Sequence, residues 1–170
     1  MTVQPATSDN HNENDEWPRR VDPWPSAEQD LSLQLGLETH AFTARQFESS
    51  AQHLHEARGF VTQTLRDWDL ARISGDASAI ASELLANAFA HGLHPAQRAD
   101  KIWLGLVRLS MGIVCSVADF RPDRPPTLVP QNLRSEEGWG LLIVDRLSEA
   151  WGWRPDGAVK MVWARISTQP

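Results

Sequence analysis

The sequence predicts an α/β fold, a two-layer sandwich with a mostly antiparallel mixed sheet and helices on one face. Three observations carry this reading. Two helical stretches follow a single strand-like segment, two apolar runs are joined by a tight link, and two further alternating runs close the chain around a turn. The order is strand, helix, helix, two strands, long loop, helix, two strands.

Residues 1–36 are rich in Asp, Glu, Asn, Gln, Ser and Pro, and poor in large aliphatics until Leu31. Such a stretch buries too little apolar surface to offset chain entropy, so it reads as a disordered acidic tail ahead of one domain over residues 37–168. Trp17-Pro18 and Trp24-Pro25 leave two readings of the tail open. The tryptophans are incidental, or the segment docks on its own domain or on a partner.

Thr39–Phe47 alternates loosely, with Ala41 or Phe42 and Phe47 as apolar points, and is read as a strand. Ser49 and Ser50 offer helix N-caps. Behind them Leu54, Ala57, Val61, Leu65 and Trp68 recur at spacings of three and four, an amphipathic helix over Ala51–Trp68. Ser74-Gly75-Asp76 reads as a loop ending in a cap, followed by a second helix from Ala77 to Ala90. Its apolar stripe is Ile80, Leu84 and Ala88, and Gly92 and Pro95 stop it.

Lys101–Leu109 alternates through Ile102, Leu104 and Leu106. Met111–Ala118 is nearly all apolar, as suits a central strand buried on both faces. The short Ser110–Gly112 link predicts a hairpin. Asp119–Glu137 holds four prolines and is too long and polar for an ordinary connection, so it is treated as a functional loop. Gly138-Trp139-Gly140 then leads into a short helix over Leu141–Leu147. Ala150–Arg154 and Val159–Ile166 are the last strands, around a Pro-Asp-Gly turn. Trp151, Trp153 and Trp163 alternate there and read as packing on one face. Trp103 and Trp139 read as partly exposed contact residues.

Composition narrows the function. A hydrophobic fraction of 41% supports a real core, and the net charge is −6. Arg19-Arg20 is the densest basic spot, so phosphate neutralisation along a nucleic acid is disfavoured. No apolar stretch approaches the roughly 18 residues of a membrane span, and the N-terminus has neither region of a signal peptide. The expectation is a cytoplasmic protein with protein or small-molecule partners. Cys115 is the only cysteine, which excludes an intrachain disulfide; inside an apolar run it reads as a small buried hydrophobe.

Three segments could carry chemistry. Glu83, Asn87 and His91 are spaced i, i+4, i+8, on one helix face. An Asn oxygen suits a hard cation such as Mg²⁺ that bridges phosphates, and a Glu one turn earlier can take a proton or order a water. The competing reading is a solvated polar face. Asp119 ends the buried strand, where its carboxylate could accept from an exocyclic amine, or simply terminate the strand. Gly138 and Gly140 precede a helix whose first N–H groups could hold an anion, or form a plain hinge.

Together these segments resemble the GHKL ATPase superfamily and its Bergerat fold, in particular the anti-sigma-factor serine/threonine kinases and their actinobacterial relatives. Glu83–Gly92 resembles the N box, Val117–Pro122 a divergent G1 box, Gly138–Val144 the G2 box, and Trp151–Ala164 the final hairpin. Ala57–Val61 fits the first helix. The resemblance covers roughly residues 39–167. It implies ATP and Mg²⁺ as cofactors, with Asn87 as metal ligand and Glu83 as catalytic base or polarising group. Asp119 would hold the adenine amine, and Gly138 and Gly140 would let the lid close. His91, Trp139, Leu141 and Lys160 complete the implied nucleotide site.

The chain departs from the family pattern in four places. Phe120-Arg121-Pro122 follow the G1 aspartate where relatives carry glycines. Prolines 122, 125 and 126 stiffen the start of the lid. Trp139 stands where a polar residue is usual. Met161 replaces a threonine that typically helps hold adenine, which predicts weaker affinity.

The resemblance implies a regulatory kinase that sequesters a sigma factor or similar partner and phosphorylates an antagonist protein, with homodimerisation possible and no direct contact to nucleic acid or membrane. A non-catalytic binding module of the same fold is the alternative. A catalytic domain of a split sensor kinase ranks third, because no dimerising helical hairpin is evident. The pairs His53/His55 and His91/His94 have metal-like spacing but fall on different elements without a cysteine, which argues against zinc.

Overall fold

The computed structural model describes residues 39–92, 101–126, 139–156 and 159–168. The expectations for residues 1–36, for most of the long loop, for Gly138 and for His94 lie outside these. The described residues form β1 (Thr39–Phe47), α1 (Ala51–Asp67), α2 (Ser74–His91), β2 (Ile102–Leu109), β3 (Gly112–Asp119), α3 (Trp139–Leu147), β4 (Ala150–Asp156) and β5 (Val159–Ser167).

The strands make one sheet in the order β1-β2-β3-β5-β4. Every described pairing is antiparallel, so the mixed character expected of the sheet is absent among the described strands. The central strand β3 is buried along its whole length, as its nearly continuous apolar run predicted.

Local chemistry sets the helix limits. The Ser50 side chain accepts the His53 N–H at 3.1 Å and caps α1, one of the donors a helix start leaves without a partner. The helix ends where Asp69 turns to φ 60°. There the Asp69 and Leu70 N–H groups bond back to the carbonyls of Arg66 and Leu65, a left-handed C-terminal cap. A short 3₁₀ turn, Ala71–Ile73, then feeds directly into α2.

This corrects the expected loop at Ser74-Gly75-Asp76, which is the first turn of α2. Gly75 faces open space, so it costs only helix propensity. Burial of Ala77, Ile80 and Ala81 holds the turn in place.

All three helices pack on one face of the sheet. Their buried apolar residues belong to one cluster with Ile102, Leu104, Leu106, Ile113, Cys115, Val117, Val162 and Trp151. A smaller cluster, Val107, Leu109, Val114 and Met161, lies on the other face with Phe42 and Trp163 packed against it. Trp163 therefore does not share a face with Trp151 and Trp153. It pairs with Gly152, between those two tryptophans, and projects to the opposite side.

Candidate functional site

The site is assembled at one end of the sheet, where α2, β3, β5 and α3 meet. α2 ends at His91 and is capped by Gly92, whose N–H bonds to the Ala88 carbonyl at 2.7 Å. The Gly92 carbonyl in turn accepts the Phe120 N–H at 3.1 Å, tying the helix end to the chain just beyond β3. A Cβ built on Gly92 would lie 2.5 Å from Asp119 Cβ and Cγ. Only a residue without a side chain lets the helix come this close to Asp119.

Asp119 is buried and directly opposite Lys160 across the β3–β5 ladder. Its Oδ1 accepts the Arg121 N–H at 2.9 Å. Its Oδ2 is ion-paired with Lys160 Nζ at 3.2 Å and accepts no well-aligned hydrogen bond among the described residues. Lys160 Nζ donates instead to the Arg124 carbonyl at 2.6 Å. Burial raises the Asp119 carboxyl above its ordinary value, outweighing the lowering pull of the Arg121 N–H and of Lys160. Just outside, Arg121 holds Asp123 through two bonds of 3.0 Å, which bring the exposed Asp123 carboxyl down to about 2.

The other end of the site is the contact between α2 and α3. A Cβ on Gly140 would fall 2.6 Å from Glu83 Oε2. The half-buried Glu83 carboxylate thus sits beside the first turn of α3, where the helix dipole favours negative charge by about 0.3–1 kcal/mol. α3 is anchored by Leu141 and Val144 in the core, and by Trp151 Nε1 donating to Asp145 Oδ1 at 2.9 Å. Trp139 opens the helix with 59% of its surface exposed.

Asn87 is half-buried one turn beyond Glu83, and His91 is exposed at the helix end. Gly92, read from the sequence as a helix stop and as the last residue of the N-box-like segment, is the α2 residue packed against Asp119. The Arg121 N–H and the Arg124 carbonyl were missed by sequence reasoning, since backbone partners leave no residue-type signal.

Met161 faces the smaller cluster, away from Asp119 and the helices. Among the described residues no group of three or more His, Cys, Asp or Glu side chains is gathered around a common point. None of the described helices is long and apolar enough to cross a membrane.

The buried Oδ2 of Asp119, ion-paired with Lys160 and without an aligned hydrogen bond among the described residues, is an acceptor of the kind an exocyclic amine requires.

Residues 47–166 match the family described as Histidine kinase-like ATPase domain. No curated protein matches the sequence. Among solved structures, the histidine kinase AdeS of Acinetobacter baumannii superposes at a TM-score of 0.41 with 12% identity, over 89% of this chain and 87% of that one.

Proposed function

Because the chain belongs to the histidine kinase-like ATPase domain family, we propose that it is an ATP-binding regulatory protein of the anti-sigma-factor type, a protein serine/threonine kinase. In this reading it sequesters a sigma factor or similar protein and phosphorylates an antagonist. The observation that carries it is the convergence of three segments distant in sequence. Gly92 at the end of α2 abuts Asp119 at the end of β3, and Glu83 on the same helix abuts Gly140 at the start of α3.

Asp119 accepts the adenine amine. Asn87 supplies an oxygen ligand to Mg²⁺, and that ion, when bound, neutralises phosphate charge. Glu83 orients or deprotonates the attacking hydroxyl. Its place beside the first turn of α3 puts it next to backbone N–H groups able to receive phosphate oxygens. Trp139 and Leu141 border this end of the site, and Gly138 and Gly140 permit a close backbone approach to the phosphates. His91 lies at the phosphate end. Lys160 acts through Asp119, holding a cation beside its carboxylate.

Calorimetric titration of Mg²⁺-ATP into the protein tests the reading. Asp119→Asn is expected to abolish binding, and Asn87→Ala to make it insensitive to Mg²⁺. Absence of binding to the unmodified chain at millimolar ATP removes the kinase reading.

A second reading, a module that binds partners without phosphoryl transfer, is favoured by the Lys160–Asp119 pair and the Arg124 contact, which occupy the adenine end from within the chain. Glu83→Gln separates the two readings. It stops phosphoryl transfer to an antagonist in a kinase and leaves partner capture unchanged in a binding module.

A further inference from the structure

The outer face of the sheet, opposite the helices, poses a question the nucleotide site does not answer. Val107, Leu109, Val114 and Met161 stand on it, each at most 4% exposed, and Ser116 at its centre is 0% exposed. Side chains on a sheet are shielded at their flanks by neighbours, but their tips stay open unless a second layer crosses them. The buried apolar residues of α1, α2 and α3 all belong to the inner cluster. The burial exists within a single chain, so a second copy is not required for it.

We propose that the segment preceding β1, residues 31–38, lies across this outer face as an apolar strap. Three observations point to it. First, the chain outside the described residues ends at Thr39, whose backbone pairs with Leu109, a member of the outer cluster. Second, Leu31, Leu33, Leu35 and Leu37 alternate, the pattern of an extended segment with one apolar side.

Third, the register carries a bulge between Thr39 and Ala41. Beyond it, odd positions of β1 pair with inward residues, as Phe47 does with Ile102 and Arg45 with Leu104. At the bulge the parity switches, and position 39 shares the register of outward Leu109. A strap that continues this extended register upstream would set the odd positions, the four leucines, on the side of the outer cluster.

The segment also has the reach. Five strands at about 4.8 Å spacing measure roughly 19 Å across, and eight extended residues span up to about 27 Å. The strap is independent of the nucleotide reading.

The test uses the full-length chain with p-benzoylphenylalanine replacing Met161 and, separately, the partly buried Phe42. Irradiation followed by peptide mapping is expected to join each position to residues 31–38 in a product of monomer mass. A product of dimer mass, a link to residues 93–100 or 127–138, or no link from either position overturns the proposal. The link is expected to disappear when Leu33→Asp and Leu35→Asp are introduced into the same chain, with the circular dichroism of the sheet retained. Its persistence in that variant also overturns the proposal.

Discussion

Replacing Lys160 by methionine keeps most of the aliphatic stem and removes the cation from beside a buried carboxylate. At the observed 3.2 Å the attraction is roughly 5 kcal/mol for an effective dielectric constant of about 20. Desolvation of both groups opposes it, and for Asp119 burial prevails, since its carboxyl is raised rather than lowered. The pair therefore contributes little against an uncharged alternative. Breaking it from one side leaves a buried, uncompensated charge, which costs about 3–5 kcal/mol.

The pH dependence follows from the direction of that shift. A carboxyl whose folded value lies above its unfolded one favours folding while protonated. That contribution is present below the ordinary 3.8 and is lost as pH rises through the folded value. Without Lys160 the folded value climbs further, each unit adding about 1.4 kcal/mol to the loss above it. Urea unfolding near pH 5 and near pH 8 is the assay. Lys160→Met is expected to be strongly destabilised at the higher pH and less so at the lower. Lys160→Met with Asp119→Asn should regain most of the loss and lose its pH dependence. A cost below about 1 kcal/mol, or an equal cost at both pH values, refutes the reasoning.

Gly140→Ala should leave stability within about 1 kcal/mol, because better helix propensity offsets crowding of a movable carboxylate end. By displacing Glu83 it should lower ADP release on the order of a hundredfold, read in a coupled assay beside urea unfolding. Gly92→Ala meets the Asp119 side chain at 2.5 Å and the Ala88 carbonyl at 2.7 Å; the backbone there cannot yield, so a loss of about 1–3 kcal/mol is expected by thermal melting. Asp69→Gly relieves an L-residue at φ 60° and should raise stability by about 1 kcal/mol, read as a higher urea midpoint.

Periodicity made the layers of this fold legible. The spacing Leu54, Ala57, Val61, Leu65 corresponds to α1, and the capping role of Ser50 was readable because a serine before an apolar run has few other local uses. The start of α2 was not readable. Ser74-Gly75-Asp76 has turn chemistry, and only the burial of Ala77 and Ile80 against the sheet makes those residues helical, a tertiary effect overriding propensity. The side taken by Trp163 depends on strand register, which residue spacing within one strand does not reveal. At the site, Glu83, Asn87 and Asp119 stood out as residue types. Their arrangement did not, because the pairing of Asp119 with Lys160 and the approach of Gly92 are products of β3–β5 register and helix docking.

The single thiol gives this protein an internal clock. Cys115 lies midway along the central strand with 0% exposure, flanked by β2 and β5 through its pairings with Leu106 and Ala164. Its side chain lies in the core between sheet and helices, so a reagent such as an aromatic disulfide meets it only after the two layers separate, and the labelling rate counts opening of the core rather than fraying of an edge. With no second cysteine to confuse the signal, that rate can be followed as ATP is added. A ligand that binds the folded form slows it by the factor its occupancy dictates, giving a measure of affinity that needs no catalysis and no partner.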